Sequence, residues 1–311
     1  MRALICGSLA FDTIMVFRDQ FKKHILPDQI HVLSVSFHVP ELRKEFGGCA
    51  GNIAYNLKLL GGEPLIMATV GDDFGPYAAH LDSLGIARTH VRHLPGMYTA
   101  QAYITTDIDD NQISAFHPGA MAEAKQNHVS AAVDIDLGIV APDAPDAMVQ
   151  HCREFHARRT PFIFDPGQSL PIFVATELRE VIELADYVTV NDYEARMVEE
   201  RLGQPISQAA VKAKALIVTR GGQGSLICTG DREISIPAVA PTAIADPTGC
   251  GDAYRAGILY GLQAGWDWEK TGRLASLLGS IKIAQRGPQN HYFTRDQLAQ
   301  QYRAAFGSEL W

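Results

Sequence analysis

The length and charge of the chain exclude several classes of protein. Its 311 residues, 47% of them hydrophobic, can bury one large α/β core with a small additional piece, and this composition excludes a disordered or collagen-like chain. With 27 basic and 35 acidic residues, the formal net charge is −8, so we expect neither nucleic acid nor an anionic membrane as a partner. No apolar run reaches the roughly 18 residues that a membrane span needs.

Cysteine usage and the N-terminal stretch indicate a reducing compartment. The five cysteines lie far apart without a CxxC pair, which predicts neither a disulfide framework nor a structural zinc site. The apolar stretch before Asp12 is too short for the apolar region and cleavage site of a signal peptide. We therefore expect the protein in the cytoplasm.

Short apolar runs alternate with longer helix-like stretches along the chain. Several runs are almost continuously apolar, as expected for strands buried on both faces. The predicted strands are 3–6, 65–70, 137–141, 162–164, 187–190 and 216–219, and the predicted helices are 50–60, 77–84, 144–158, 176–184, 193–202 and 251–262. A late hairpin is predicted from 225–228 and 233–236. This order indicates βαβ units around an open, mostly parallel sheet.

Two stretches interrupt this rhythm, at residues 11–45 and 98–116. Both alternate like extended chain, and the turn at 107–111 can close a hairpin. We interpret them as a small β lid that covers the main sheet, within a single domain of residues 1–311. Ordinary surface loops are the alternative interpretation.

The segment DPTGCGDAYRAG, from Asp246 to Gly257, is the strongest local signal for chemistry. Gly249 and Gly251 allow a tight turn whose N–H groups face one concavity, and the helix behind adds free donors and a positive dipole end. Such an anion hole suits a migrating phosphoryl group, and Asp252 at its mouth can accept a proton from an attacking hydroxyl. The alternative is that Asp252 only caps the helix and the glycines only form a turn.

Two common nucleotide-binding motifs are incomplete in this sequence. No GxxxxGK[ST] occurs, which excludes a P-loop enzyme. Gly249 and Gly251 start a GxGxxG pattern, but Tyr254 stands at its third glycine, which disfavours a Rossmann dehydrogenase.

The same segment resembles the second signature of the PfkB, or ribokinase-like, carbohydrate kinase family, DTxGxGDxxxAG, with Pro247 inserted after Asp246. The resemblance implies a ribokinase-like three-layer αβα sandwich with a mostly parallel central sheet and a small β lid. It implies that Asp252 is the catalytic base, that ATP is the phosphoryl donor and that Mg²⁺ is required. It places the anion hole at the amides of Gly249, Cys250 and Gly251, with Cys250 as a packing residue rather than a nucleophile.

The segment GGCAGNIA, at residues 47–54, resembles the first signature of that family. The resemblance implies that Gly48 and Asn52 contact hydroxyls of a sugar ring; a glycine turn that caps a helix is the structural alternative. Ser8 and Asp12, after the first strand, are likewise implied to hold substrate hydroxyls. The alternative for Asp12 is a turn residue.

Two further segments match family patterns for nucleotide and metal. Asn191 and Glu194 match NxxE at the end of a strand, and their oxygens suit a hydrated Mg²⁺, reached through water. Asp246 and Thr248 are candidates for a monovalent cation such as K⁺, which many relatives bind. TRGGQG, at 219–224, resembles TxGxxG, which flanks the nucleotide phosphates. The resemblance assigns ATP binding to Asn191, Thr219, Gly221, Gly222, Gly224, Gly249 and Gly251.

Other segments resemble the bacterial adenosine kinase branch of the family. They are the stretches around Ser36, residues 105–110, Phe116 and Gln168, together with the inserted Pro247. An aromatic lid residue such as Phe116 can stack on a purine, Gln168 can bind a base edge, and Ser36 can add a hydrogen bond from the lid. The alternative is that Phe116 is lid core and Gln168 a surface amide.

The predicted reaction transfers a phosphoryl group from ATP to the ribose 5′-hydroxyl of adenosine, giving AMP and ADP, as in purine salvage. Another PfkB-family sugar kinase, acting on ribose or another free sugar, is the first alternative. A nucleoside-binding regulator without catalysis is the second, but the complete anion hole and Asp252 disfavour it. We also expect a homodimer formed through the lid.

Overall fold

The computed structural model describes residues 1–25, 34–109, 111–230 and 232–311. Its strands are β1 (Arg2–Cys6), β2 (Ala10–Val16), β3 (Glu41–Gly47), β4 (Glu63–Val70), β5 (Ala87–His93), β6 (Ala100–Thr106), β7 (Gln112–His117), β8 (Leu137–Val140), β9 (Phe162–Phe164), β10 (Tyr187–Asn191), β11 (Ala215–Thr219), β12 (Ser225–Thr229) and β13 (Arg232–Ile236). Its helices are α1 (Cys49–Leu59), α2 (Gly75–Ser83), α3 (Pro145–Arg158), α4 (Ala175–Leu184), α5 (Asp192–Leu202), α6 (Ile206–Ala209), α7 (Cys250–Gln263), α8 (Trp268–Ile283) and α9 (Arg295–Phe306).

The main sheet contains nine strands in the order β13-β12-β11-β10-β9-β8-β1-β4-β5. The neighbours from β5 to β11 pair in parallel, and β12 and β13 add an antiparallel hairpin at one edge. Their parallel direction brings the carboxyl ends of these strands to one edge of the sheet, where ligands bind in open α/β folds.

Successive residues of β1 face two separate cores. Ala3 and Ile5 pack into a cluster with residues of α1, α2, α7 and α8, whereas Leu4 and Cys6 pack into a cluster with residues of α3, α4 and α5. A strand buried on both faces needs helices on both sides, which explains the almost continuous apolar runs. The three-layer αβα sandwich expected from the sequence is therefore confirmed.

A second sheet, which we call the lid sheet, has four strands in the order β3-β2-β6-β7. β2 and β6 pair in parallel, while the two outer pairs are antiparallel. The predicted small β lid is thus present as a sheet, built from both stretches that interrupt the βα rhythm.

The predicted strands and helices match observed elements to within a few residues, and the late hairpin corresponds to β12 and β13. The sequence did not predict β5, α6, α8 or α9. β5 is exposed at most positions and carries three charged or histidine side chains at its surface, so it lacks the apolar run used to recognise strands. In the part of the chain that the structure describes, no helix is both long and apolar enough to cross a membrane.

Candidate active site

Asp252 lies in the first turn of α7, directly after the glycine turn. Gly249 precedes the helix with a φ of 81°, a left-handed conformation that glycine adopts without strain. The amide of Cys250 donates to the Pro247 carbonyl at 3.1 Å and so helps to form the turn. The first amides of a helix have no partner within it, and Gly251 and Asp252 both line the adjoining cavity. The turn can therefore offer N–H groups to an anion.

The segment of the first signature, at residues 47–54, contacts the segment of the second at Asp252. Gly48 precedes α1 with a φ of 84°, and a Cβ there would come within 2.6 Å of the Ser8 carbonyl, so the turn requires glycine. The Ser8 hydroxyl accepts a hydrogen bond from the Cys49 amide at 3.1 Å. One turn into α1, the Asn52 Nδ2 donates to Asp252 Oδ2 at 2.8 Å. The predicted sugar-binding helix thus holds the predicted base directly.

Burial sets the protonation of the two acids of the site. It raises the pKa of Asp252 to about 6, and the hydrogen bond from Asn52 and the Arg255 guanidinium partly offset this rise. The pKa of Asp12 is also raised to about 6, first by burial and then by the negative charges of Asp252, Asp246 and Glu45. Both groups can change protonation near neutral pH, as a general base must.

The lid sheet places Asp12 and Phe116 on the same face. Asp12 pairs with Ala102 across β2 and β6, and Ala102 pairs with Phe116 across β6 and β7. Residues that pair directly point to the same side of a sheet. Phe116 is half exposed, and Ser36 is exposed in the segment before β3.

A cavity of about 880 Å³ opens at the carboxyl ends of the strands. Asn191 and Thr219, the last residues of β10 and β11, pair side by side on its wall. Gln168, which is exposed in the 3-10 turn after β9, also lines it. Every residue assigned to ATP contributes to the lining: Asn191, Thr219, Gly221, Gly222, Gly224, Gly249 and Gly251.

Asn191 and Glu194 form a capping box at the start of α5. The Asn191 Oδ1 accepts from the Glu194 amide at 2.7 Å, and the Glu194 Oε2 accepts from the Asn191 amide at 2.8 Å. Their remaining lone pairs at the cavity suit a metal reached through water better than one bound directly. Among the described residues, no group of three or more His, Cys, Asp or Glu is placed to hold a metal ion.

The expectation that Cys250 is not a nucleophile has a physical basis in its surroundings. Burial raises the pKa of its thiol to about 11, so the thiol stays protonated near neutral pH. Its backbone lies in the glycine turn, and its side chain is partly buried beside the Asp246 carbonyl.

The sequence patterns did not predict a role for Asp165. Asp165 directly follows β9. Its carboxylate accepts two hydrogen bonds from Arg255, at 2.6 Å from Nε and 2.9 Å from Nη2. Both side chains are buried and line the cavity. Arg255 follows Asp252 by three residues and so lies on the same face of α7, a spacing that could have marked it. The Asp165 carboxylate thus holds the positively charged Arg255 guanidinium beside the anion hole.

A second missed residue is Gln289. Its Nε2 donates to Asn52 Oδ1 at 3.0 Å and to the Tyr77 hydroxyl at 2.7 Å. Because the Asn52 oxygen accepts from Gln289, its NH₂ group is the one directed at Asp252. His80 contacts the Gln289 oxygen at 3.0 Å. Gln289 lies 237 residues from Asn52, so no local pattern could reveal this contact.

Comparison with known proteins agrees with this geometry. The family model for pfkB family carbohydrate kinases matches residues 10–295. The chain belongs to this family. A nucleoside kinase from Methanocaldococcus jannaschii is 32% identical over 269 residues, which cover 86% of this chain and 88% of that protein. The chain is therefore an ATP-dependent phosphotransferase with an alcohol group as acceptor.

Solved structures of a Burkholderia thailandensis nucleoside kinase are also similar to this family member. Its complex with inosine has a TM-score of 0.91 and 50% identity and covers 99% of both chains. Its complex with ADP and inosine has a TM-score of 0.88 and 52% identity, covering 99% of this chain and 97% of that one.

Proposed function

We propose that this enzyme is a nucleoside kinase that transfers the γ-phosphoryl group of ATP to the ribose 5′-hydroxyl of adenosine, giving AMP and ADP. The hydrogen bond between Asn52 and Asp252 is the observation that carries the proposal. It joins the helix of the first signature, which is expected to bind the sugar, to the base beside the cavity lined by the ATP-binding segments. The similarity to nucleoside kinases favours a nucleoside over a free sugar.

Each group has a role in this reaction. Asp252 accepts the proton of the 5′-hydroxyl as that oxygen attacks the γ-phosphorus, and the leaving oxygen remains on ADP. The amides of Gly249 and Gly251 stabilise the migrating phosphoryl group, whereas the expected contribution of the Cys250 amide is opposed by its hydrogen bond to the Pro247 carbonyl. Arg255 adds a fixed positive charge nearby. Asp12 and Asn52 bind ribose hydroxyls, with Ser8 and Gly48 shaping the turn that positions them.

The lid sheet is proposed to bind the purine. Phe116 shares a face with Asp12, so it can stack on a base whose ribose lies at Asp12. Ser36 would add a hydrogen bond from the lid and Gln168 would bind the base edge. A glutamine amide has both a donor and an acceptor, so it suits the 6-amino group of adenosine as well as the 6-oxo group of inosine.

We propose Mg²⁺ as the metal that accompanies ATP, reached through water by Asn191 and Glu194. When bound, it neutralises charge on the phosphates. The capping box supports this arrangement, because it leaves Glu194 Oε1 and one lone pair of Asn191 Oδ1 for water molecules around the metal.

A substrate panel tests the proposal. ATP consumption is measured with adenosine, inosine, guanosine, cytidine, ribose and fructose 6-phosphate. We expect adenosine to exceed ribose in kcat/KM by at least about 100-fold, because a bound base contributes binding energy that ribose lacks. Phosphorylation of ribose with no turnover of adenosine would instead favour the sugar kinase.

Two variants in the β6–β7 hairpin separate base stacking from general damage to the lid. Phe116→Ala should raise KM for adenosine about tenfold, since one base–aromatic stack contributes about 1–3 kcal/mol. Ile108→Ala is the matched control, because Ile108 is an exposed apolar residue in the turn between β6 and β7, outside the paired strands. Equal effects of the two changes would argue against stacking on Phe116.

A substitution of the catalytic base, Asp252, tests the proposed mechanism. Asp252→Asn keeps the size of the side chain but removes the proton acceptor, so kcat should fall by about 100- to 10,000-fold. Nucleoside binding by calorimetry should persist in this variant. If Asp252→Asn phosphorylates adenosine as fast as the unchanged protein, Asp252 is not the base; if the unchanged protein binds but never phosphorylates, the regulator is favoured.

The expected homodimer also remains a proposal, and the expected location in the cytoplasm remains a prediction. A row across the lid sheet joins Leu42, Met15, Thr105 and Ile113 by direct pairing, on the face opposite Asp12. Leu42 is 64% and Ile113 43% exposed, so this row offers an apolar surface to a second copy.

A further inference from the structure

A lysine is completely buried behind the anion hole. Lys282, the penultimate residue of α8, has none of its surface exposed. Its Nζ donates to the Asp246 carbonyl at 2.7 Å and to the Gln285 carbonyl at 3.2 Å. Lysine is rarely buried in this way without compensation, because an ammonium group loses its hydration.

The surroundings of Lys282 provide part of that compensation. Its position at the carboxyl end of α8 favours a positive charge. Burial lowers the pKa of Lys282, while the negative charges of Asp246 and Asp252 oppose that shift and the positive charge of Arg43 adds to it. The two nearest acceptors are carbonyl oxygens, to which the nitrogen can only donate. This is the environment of a bound cation.

The same atoms tie two loops together. The amides of Ala245 and Asp246 donate to the Ile283 carbonyl at 2.8 and 3.2 Å. The Asp246 carboxylate accepts from the Thr248 amide and from the Gly287 amide, each at 2.9 Å. Lys282 lies between these loops, and the first of them continues directly into the Gly249 turn. A group that holds the Asp246 carbonyl therefore also positions the anion hole.

Backbone carbonyls with an adjacent carboxylate are also the ligands that a monovalent metal ion would use. At Asp246, one of the two residues implied for K⁺, the carbonyl and both carboxylate oxygens already accept hydrogen bonds, so an additional ion would compete with these donors. We propose that the Lys282 ammonium group takes the place of a monovalent cation and positions the anion hole, so that this kinase needs no K⁺. Lys282 is a positioning residue, and the effect on rate depends on the proposed kinase activity.

The first test uses the unchanged protein. Its rate is measured in potassium, sodium and tetramethylammonium chloride at equal ionic strength. We expect rates that agree within about twofold, because only general screening remains when no ion is bound at a specific site. Activation by K⁺ of about tenfold or more over tetramethylammonium would overturn the proposal, since a discrete ion site would then exist.

The second test removes the ammonium group. Lys282→Met keeps an apolar stem of similar length, and kcat should fall by about 10- to 100-fold because displaced amides stabilise the phosphoryl group poorly. Lys282→Ala should lose as much, and it should regain activity with K⁺ or NH₄⁺ but not with the larger tetramethylammonium. Lys212→Ala, an exposed lysine before β11, is the matched control. Unchanged kcat in Lys282→Met, or no rescue by either small ion, would overturn the proposal.

Thermal unfolding separates this inference from the proposed activity. K⁺ should raise the Tm of Lys282→Ala by binding its empty cation position, and leave the Tm of the unchanged protein in place at equal ionic strength. This result needs no substrate. If no nucleoside or sugar is phosphorylated, the proposed function fails, whereas a K⁺-dependent Tm in the unchanged protein would overturn only the role of Lys282.

Discussion

At the scale of single residues, the site depends on how two buried charges are compensated. Asp252 is ionised only at a cost, because burial raises its pKa, and Asn52 reduces that cost with one hydrogen bond. Arg255 keeps its charge because Asp165 binds it at two points. Asn52 is in turn oriented by Gln289. Asp252, Arg255 and Asn52 are therefore each held in place by a hydrogen bond with another side chain.

The pKa of Asp252 predicts the acid limb of the pH profile. A general base works only when ionised, so kcat/KM should fall as the pH drops below about 6 and level off above it. Asp12 titrates in the same range, so the limb reports both acids. Initial rates with adenosine across this range measure it. A kcat/KM that stays constant well below the raised pKa would contradict the role of Asp252.

Breaking the buried ion pair should destabilise the protein. Asp165→Asn leaves the Arg255 charge buried without a directly bound carboxylate, with Glu194 at 4.0 Å and Asp252 as the remaining negative charges, and should cost about 3 kcal/mol of unfolding free energy. Urea unfolding measures this cost. Glu180→Gln is the control, because Glu180 binds Arg153 with the same two-point geometry at the surface, and should cost at most about 1 kcal/mol. Equal costs would contradict the importance of burial.

At the scale of elements, α7 carries the reaction chemistry and α8 supports it. The two helices approach closely at Gly257, where a Cβ would lie 2.6 Å from the Ala275 Cα and 2.9 Å from its nitrogen. α8 also contributes Gly279 and Ser280 to the cavity wall, and Lys282 to the loop before α7. The final glycine of the second signature therefore sets the distance between these helices.

Filling that contact should separate the helices. In Gly257→Ala the added methyl group meets backbone atoms, which cannot rotate away, so we expect a loss of about 1–3 kcal/mol in stability. Gly279→Ala is the control, since its Cβ would lie 3.7 Å from the nearest atom and alanine favours a helix by about 1 kcal/mol. Thermal unfolding of both variants measures this difference in stability. A Gly257→Ala variant as stable as Gly279→Ala would argue against close packing of α7 and α8 at Gly257.

At the scale of the whole molecule, the nine-stranded sheet and the lid sheet carry different parts of the site. The carboxyl ends of the parallel strands hold the nucleotide cavity, and the lid sheet carries Asp12 and Phe116 on one face. Its other face leaves Leu42 and Ile113 in solvent. Exposed apolar rows on a sheet are surfaces that proteins cover by association.

The exposed row predicts the oligomeric state. Leu42→Asp should convert the expected homodimer to a monomer, because a carboxylate in an apolar contact loses hydration without gaining a partner. Sedimentation velocity measures the change. Val211→Asp, at a position that is 75% exposed and outside the lid sheet, should leave the dimer intact. A monomeric unchanged protein, or a Leu42→Asp variant that stays dimeric, would argue against an interface at this face.

The sequence alone determined the features that depend on neighbouring residues. The apolar runs predicted six of the seven parallel strands of the main sheet, because a strand buried on both faces needs apolar residues on both. The two glycine segments predicted the turns before α1 and α7, since a positive φ at Gly48 and Gly249 favours glycine. Their order along the chain indicated a kinase of the pfkB family, which the family comparison confirmed.

Only the tertiary structure decided which distant residues support the site. Gln289 acts on Asn52 across 237 residues, and Asp165 holds Arg255 across 90. Lys282 contacts Asp246 across 36 residues and two loops. Hydrogen bonds between distant segments leave no periodic pattern in a sequence, because their geometry depends on how helices and loops pack. The residues that perform the chemistry therefore lie in short sequence motifs. Their orientation, and the charge of Lys282 behind the anion hole, arise from the fold.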